Sequence, residues 1–214
     1  MTHFTGTAKS IRLIGGVRVL DFINTTNGRR PGTALKVVEE RLTSFRFFFE
    51  WARHASLISA QEFDDYKPMV FESSMAYQPD LDLIIAFREC LYRVFYPLSS
   101  GGVAPDEALQ QINRAFVQGV ERRLLRSVEG KPAWGWKPCT TTQELTAMVL
   151  GRLAIDAAQL LVSGDLHALR SCAATDCDWV FLDVSKNKQR KWCQMSVCGS
   201  REKLSRLKQV GGAQ

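Results

Sequence analysis

Four of the chain's six cysteines stand as Cys172-x4-Cys177-x15-Cys193-x4-Cys198, two close pairs of equal spacing. A pair two to four residues apart forms a tight chelating turn, and two such turns bring four thiolates to one tetrahedral ion at about 2.3 Å. With every position taken by protein, the ion has a structural role. The expectation is one structural Zn(II) per chain, closing a segment too short to fold by burial alone. Trp179, Phe181 and Trp192 are the apolar residues available to pack around it, and Gly199 lets the backbone turn directly after Cys198. Cys90 and Cys139 stand alone and read as buried thiols without a role. The competing reading, ordinary buried cysteines in a small helical module, fits a lone pair better than two matched ones.

The same segment concentrates the chain's positive charge. Residues 170–214 hold nine Lys/Arg against four acids, whereas the preceding residues hold 19 against 18 out of a total net charge of +6. Between the cysteine pairs lie Lys186, Asn187, Lys188, Gln189, Arg190 and Lys191, among the turn formers Asp183 and Ser185. After them, "SREKLSRLK" reads as a short helix carrying Arg201, Lys203, Arg206 and Lys208, with Leu204 and Leu207 facing inward. A rigid positive surface suits the phosphates of double-stranded DNA, and Asn187, Gln189 and Arg190 have groups that reach base edges. A merely solvated charged face is the alternative for any lysine-rich stretch. Four or five phosphate contacts give a salt slope of about −4. Binding of that strength to a specific site calls for a homodimer.

These residues must be positioned by what precedes them. "SIRLIGGVRVLDFINTT" alternates around Gly15-Gly16 and predicts a short hairpin ending in a polar loop. From Thr33, as cap, Leu35, Val38, Leu42, Phe45, Phe49 and Ala52 have helical spacing. Further helices are expected from Ser59 with Glu62 in a capping box, from Pro79 to about Pro97, and from Pro105-Asp106-Glu107 onward. A second hairpin turns at Glu129-Gly130. The longest helix starts at a Thr141/Glu144 capping box and ends at Ser163-Gly164, after which Asp165 caps a last short turn leading into Cys172. The division expected is 1–165 and 166–210. The opening "MTHFTGTAKS" lacks the apolar centre of a signal peptide and no unbroken apolar run nears about 20 residues, so a cytoplasmic protein without a membrane partner is expected.

The run Cys172, Cys177, Trp179, Phe181, Asp183, Ser185, Asn187, Arg190, Lys191, Trp192, Cys193, Met195, Cys198, Gly199, Ser200, Arg201 resembles the CGNR zinc-finger family of bacterial regulators. "LDFINT", Leu20 to Thr25, is similar to the start of that family's N-terminal domain, called ABATE and associated with stress-induced transcription regulation. Ser200 replaces the family asparagine and Lys191 an arginine. The resemblance implies an α+β fold: a mainly helical N-terminal domain with short β-hairpins, plus a small C-terminal treble-clef-like zinc finger with four cysteine ligands. It also implies zinc-dependent DNA binding and transcription regulation.

For the front domain the resemblance implies sensing of a small-molecule effector without naming one. Asp21, Asn24 and Thr25, with Arg88 as an anion partner, are the candidate ligand-binding residues; a satisfied buried network, or an ion-paired Arg88, is the alternative. No catalytic residues are expected. Three histidines, none near a cysteine pair or in an HExxH pattern, and no phosphate-binding glycine loop argue against an enzyme. The leading expectation is therefore a zinc-containing DNA-binding transcription regulator with an effector-sensing domain. The second is a zinc-stapled module that meets an acidic protein partner.

Overall fold

The computed structural model describes residues 2–29, 39–72 and 77–204. The front of the chain is mainly helical. Helices α1 (Arg18–Ile23), α2 (Phe45–His54), α3 (Ala60–Phe71), α4 (Gln78–Leu98), α5 (Asp106–Glu121) and α6 (Thr142–Val162) surround one core. Short strands β1 (Thr2–His3), β2 (Thr26–Asn27) and β3 (Glu39–Glu40) form a small sheet in the order β1-β3-β2, with β1 parallel and β2 antiparallel to β3. Strands β4 (Arg123–Val128) and β5 (Lys131–Trp136) make an antiparallel hairpin, as do β6 (Leu169–Ser171) and β7 (Val180–Leu182).

Local chemistry explains most boundaries. Ser59 and Glu62 form a reciprocal capping box at the start of α3. Pro79 and Asp80 occupy the first turn of α4, and Asp106 and Glu107 that of α5, where the positive helix end favours acids. The β4–β5 turn places Glu129 and Gly130 at φ 51° and 77°, the handedness a two-residue hairpin needs. Thr141 accepts from the Glu144 amide to start α6, while the Glu144 carboxylate reaches back to Thr140 instead of to Thr141. Helices α5 and α6 pack closely through Gly119 and Gly151, where a Cβ on either would fall under 3 Å from the other's Cα.

Three expectations are corrected. Residues 18–23, expected in a hairpin, form α1: all but the exposed Arg18 are buried, so this short helix leaves no periodicity to read. The helix expected from Thr33 starts only at Phe45, capped by Ser44. Its proposed cap at Thr33 lies outside the described residues, and Glu39–Glu40 are extended because Glu40 must deliver both carboxylate oxygens to Arg88, at 2.7 and 2.6 Å. The short turn Gly164–Ala168 is capped by Ser163, not Asp165. Helix α6 is long and apolar enough to cross a membrane by length and composition, yet more than half of that span is buried. Its Arg152 and Asp156 are ion-paired with Glu62 and Arg18, which marks it as the core helix.

The C-terminal segment is not hung on the end of this body. Leu169, Val180 and Leu182 belong to the main core, while Cys172, Trp179, Phe181, Cys193 and Cys198 form a second, smaller cluster beside it. Leu182 donates its N–H to the Gly15 carbonyl at 2.8 Å, so the loop before α1 lies on the edge of β7.

Candidate metal centre and basic loop

Cys172 follows β6 directly, and its N–H bonds the Trp179 carbonyl at 2.9 Å, extending the hairpin by one rung. Cys177 sits on the turn between the strands, where its N–H bonds the Ala174 carbonyl at 3.1 Å. The second pair is carried by a different device. Residues Met195–Gly199 form a π-helical turn that continues helically through 200–204, and the Gln194 carbonyl accepts from the N–H groups of Val197, Cys198 and Gly199. Cys193 thus precedes a helical turn and Cys198 lies on it.

The four Sγ atoms lie within 4.8 Å of one another. Cys193 is 3.7 Å from Cys177 and 3.5 Å from Cys198. A tetrahedral ion with metal–sulfur bonds of about 2.3 Å needs sulfurs about 3.8 Å apart, so the cluster has the dimensions of a tetrathiolate site. Hydrogen bonds from the Cys177 and Cys193 thiols pull the Cys172 thiol down, and the same bonds to Cys172 push Cys177 and Cys193 up. A divalent cation would bind the four as thiolates and release their protons.

Neighbouring groups suit an anionic cluster. The Cys193 N–H approaches the Cys172 sulfur at 3.4 Å, and Arg201 places a guanidinium nitrogen 3.4 Å from the Cys198 sulfur while pairing with Asp176 at 2.8 Å. A small cleft of about 50 Å³ beside the sulfurs is also lined by Arg12 and Arg41. Gly199 is not among the glycines of positive φ, so the turn after Cys198 does not itself require a glycine; a Cβ there would stand 2.6 Å from the sulfur of the exposed, flexible Met195 side chain. Ser200 follows the π-helical turn and donates to the Met195 carbonyl at 3.4 Å.

The loop between the pairs is pinned at both ends. Asp183 accepts from the Ser185 hydroxyl at 2.5 Å, from the Arg190 N–H at 2.8 Å and from the Ser185 N–H at 3.0 Å, bonds that hold its carboxyl below the usual range. Lys186, Asn187, Lys188, Gln189 and Lys191 are exposed on it, as are Arg201 and Lys203 beyond. Arg190 is not free to read a base. It turns inward over the Phe181 ring at 4.3 Å and donates to the carbonyls of Trp192, at 3.0 Å, and Cys193. Leu204, expected to face inward, is exposed. Arg206, Leu207 and Lys208 lie outside the described residues.

The four candidate ligand residues are buried and bonded to the chain itself. Asp21 accepts from the Gly15 N–H at 2.7 Å, and burial pushes its carboxyl up to about 6. Asn24 bonds Val180, and Thr25 donates to the Phe22 carbonyl at 2.8 Å. Arg88 pairs with Glu40 and Glu89 and touches the Thr25 hydroxyl at 3.2 Å. Arg29, also buried, pairs with Glu89 at 2.8 Å and gives its N–H to Asp178. Burial opposes the charge on Glu89, but the two arginines outweigh it and hold it below the normal range. The network reaches from the front body to the cysteine segment through Asn24 with Val180 and Arg29 with Asp178. Asp176 and Asp178, the acids flanking Cys177, take part in these contacts and were not singled out by sequence; their position beside a ligand is the available signal.

Residues 168–209 match the family model described as CGNR zinc finger. Residues 16–164 match the ABATE model, described as "Putative stress-induced transcription regulator". No curated protein matches the chain.

Proposed function

We propose, since the chain belongs to the ABATE family and ends in a segment matching the CGNR zinc finger, that it is a transcription regulator whose Zn(II)-locked finger binds double-stranded DNA. Cys172, Cys177, Cys193 and Cys198 hold the ion, which supplies no catalytic step. It fixes the turn bearing Cys177 against the helical turn bearing Cys198, and so the loop between them.

The observation that carries the reading is the exposure of Lys186, Lys188 and Lys191 on a loop anchored by Asp183 at one end and Cys193 at the other. Lysines presented on a fixed loop meet phosphates at a defined spacing, with Asn187 and Gln189 between them for base edges. Lys203 adds a fourth exposed charge. The chain acts in the cytoplasm, with a front body that senses a small effector and carries out no chemistry. Two copies together supply the phosphate contacts that one copy lacks.

The test is DNA affinity measured across salt. Four contacts predict a log–log slope of about −3 to −4 per copy, lost when Lys186, Lys188 and Lys191 are changed together to glutamate. Absence of DNA binding by the zinc-loaded chain, with retention of an acidic protein, sinks the DNA reading and supports the protein-partner alternative.

A further inference from the structure

A second polar site lies in the front body, away from the buried network just described. Where α1, the end of α2, the start of α3, the β4–β5 hairpin and α6 converge, they enclose an open cavity of about 510 Å³. That is the size of a small-molecule pocket.

Its charge is unbalanced. Four guanidiniums, of Arg18, Arg53, Arg123 and Arg152, face it, against the carboxylates of Glu62 and Asp156. Each carboxylate is already engaged by one arginine. Asp156 takes both of its hydrogen bonds from Arg18, at 2.9 and 2.8 Å. Glu62 takes a bidentate pair from Arg152, whose Nη1 also donates to the Leu57 carbonyl at 2.7 Å. Arg53 and Arg123 have no carboxylate partner among the described residues. Arg123 is held by the faces of Trp134 and Trp136, about 5 Å from each ring centre, and its buried Nε has no acceptor among the described residues. Two positive charges are therefore unmatched in a partly enclosed space, where a guanidinium gains most from a forked anion. The rest of the wall includes apolar Ile58 and Ile155 and the ring of Trp136.

We propose that this cavity binds a small organic anion, a carboxylate or phosphate group held by Arg53 and Arg123 with an apolar or aromatic body against Ile155 and Trp136. The site is the effector site of the regulator proposed above, and in that respect rests on that reading. It also adjoins the finger. The Arg18–Asp156 pair is shared with a neighbouring groove that reaches Ser163 and Asp165, before β6, and Leu182 of β7.

The test titrates the full zinc-loaded chain with benzoate and with phenyl phosphate, and with benzamide as the neutral counterpart of benzoate, following the Trp136 indole N–H resonance assigned through Trp136→Phe. At least one anion should shift that resonance saturably and bind at least tenfold more tightly than benzamide. Which of the two binds separates a carboxylate effector from a phosphate one. Arg53→Met and Arg123→Met should each weaken binding at least tenfold at unchanged zinc content, while Arg46→Met, outside the cavity, stays within twofold. No saturable shift with either anion, equal binding of benzamide, or full affinity in the folded Arg53→Met, Arg123→Met double variant overturns the proposal. DNA binding is measured on the same samples: anion binding without DNA binding removes the regulator reading but leaves the site, and DNA binding without anion binding removes the site alone.

Discussion

The carboxamide of Asn24, just past the end of α1, holds the backbone of Val180 in β7 from both sides: its Nδ2 donates to the carbonyl at 2.8 Å and its Oδ1 accepts from the N–H at 3.0 Å. The side chain stands in for a neighbouring strand. Nearby, the Trp179 indole donates to the Thr26 carbonyl at 2.8 Å. The front body and the cysteine segment are thus joined by buried hydrogen bonds as well as by a covalent link.

Asn24→Ala leaves both Val180 groups buried without partners and should cost about 2–3 kcal/mol. Urea unfolding followed by tryptophan emission measures it. In the wild type, signals from the two parts should fall together in one transition, because they share a core.

Arg88 is fully buried with two carboxylates on it. Arg88→Met leaves Glu40 without its ion pair and Glu89 with Arg29 alone, and should destabilise by about 3–5 kcal/mol. Arg88→Lys should not restore the loss, since an ammonium cannot match the fork that engages both Glu40 oxygens. Equilibrium unfolding of the two variants checks both statements.

Asp21 gives a pH dependence whose sign follows from its burial. Its folded carboxyl titrates at about 6 against an ordinary 3.8, so the native state holds the proton more tightly than the unfolded chain. Its contribution is therefore most favourable below about pH 4, falls as pH rises to about 6 and is flat above. Asp21→Asn keeps an acceptor for the Gly15 N–H and removes the titration. Relative to wild type, the variant should gain about 2–3 kcal/mol between pH 4 and 7. Stability measured at both pH values for the two proteins gives that difference directly.

The inward turn of Arg190 separates charges that bind DNA from charges that build the finger. Lys186→Ala should lower the magnitude of the salt slope by about one while leaving metal affinity alone. Arg190→Ala should do the reverse, leaving the slope unchanged and loosening the metal, because the Trp192 and Cys193 carbonyls lose their donor. Salt titrations paired with chelator competition read the two effects apart.

What the sequence discloses depends on whether the cause is local. The Ser59–Glu62 box, the Glu129-Gly130 turn and the long apolar stripe of α6 carry their own instructions and are legible. So is the four-cysteine framework, since chelation fixes spacing along the chain. The extended Glu39–Glu40 and the short α1 are set by partners distant in sequence, Arg88 and the surrounding helices, and no window contains them. Composition likewise shows that Arg190 and Arg201 are positive but not where they point: Arg190 turns inward to the Trp192 and Cys193 carbonyls, whereas Arg201 stays exposed and pairs with Asp176. The polar run after Leu20 could signal a pocket or a seam, and only Val180, 156 residues further on, makes it a seam.

The proposed zinc ion gives the basic loop its fixed form. Native mass spectrometry of the purified chain tests it most directly, by weighing the folded protein before and after Cys193→Ser. One zinc per wild-type chain, absent from the variant together with the ordered 172–204 segment, is the predicted result. A metal-free wild-type chain whose cysteine segment is nonetheless folded would contradict the account.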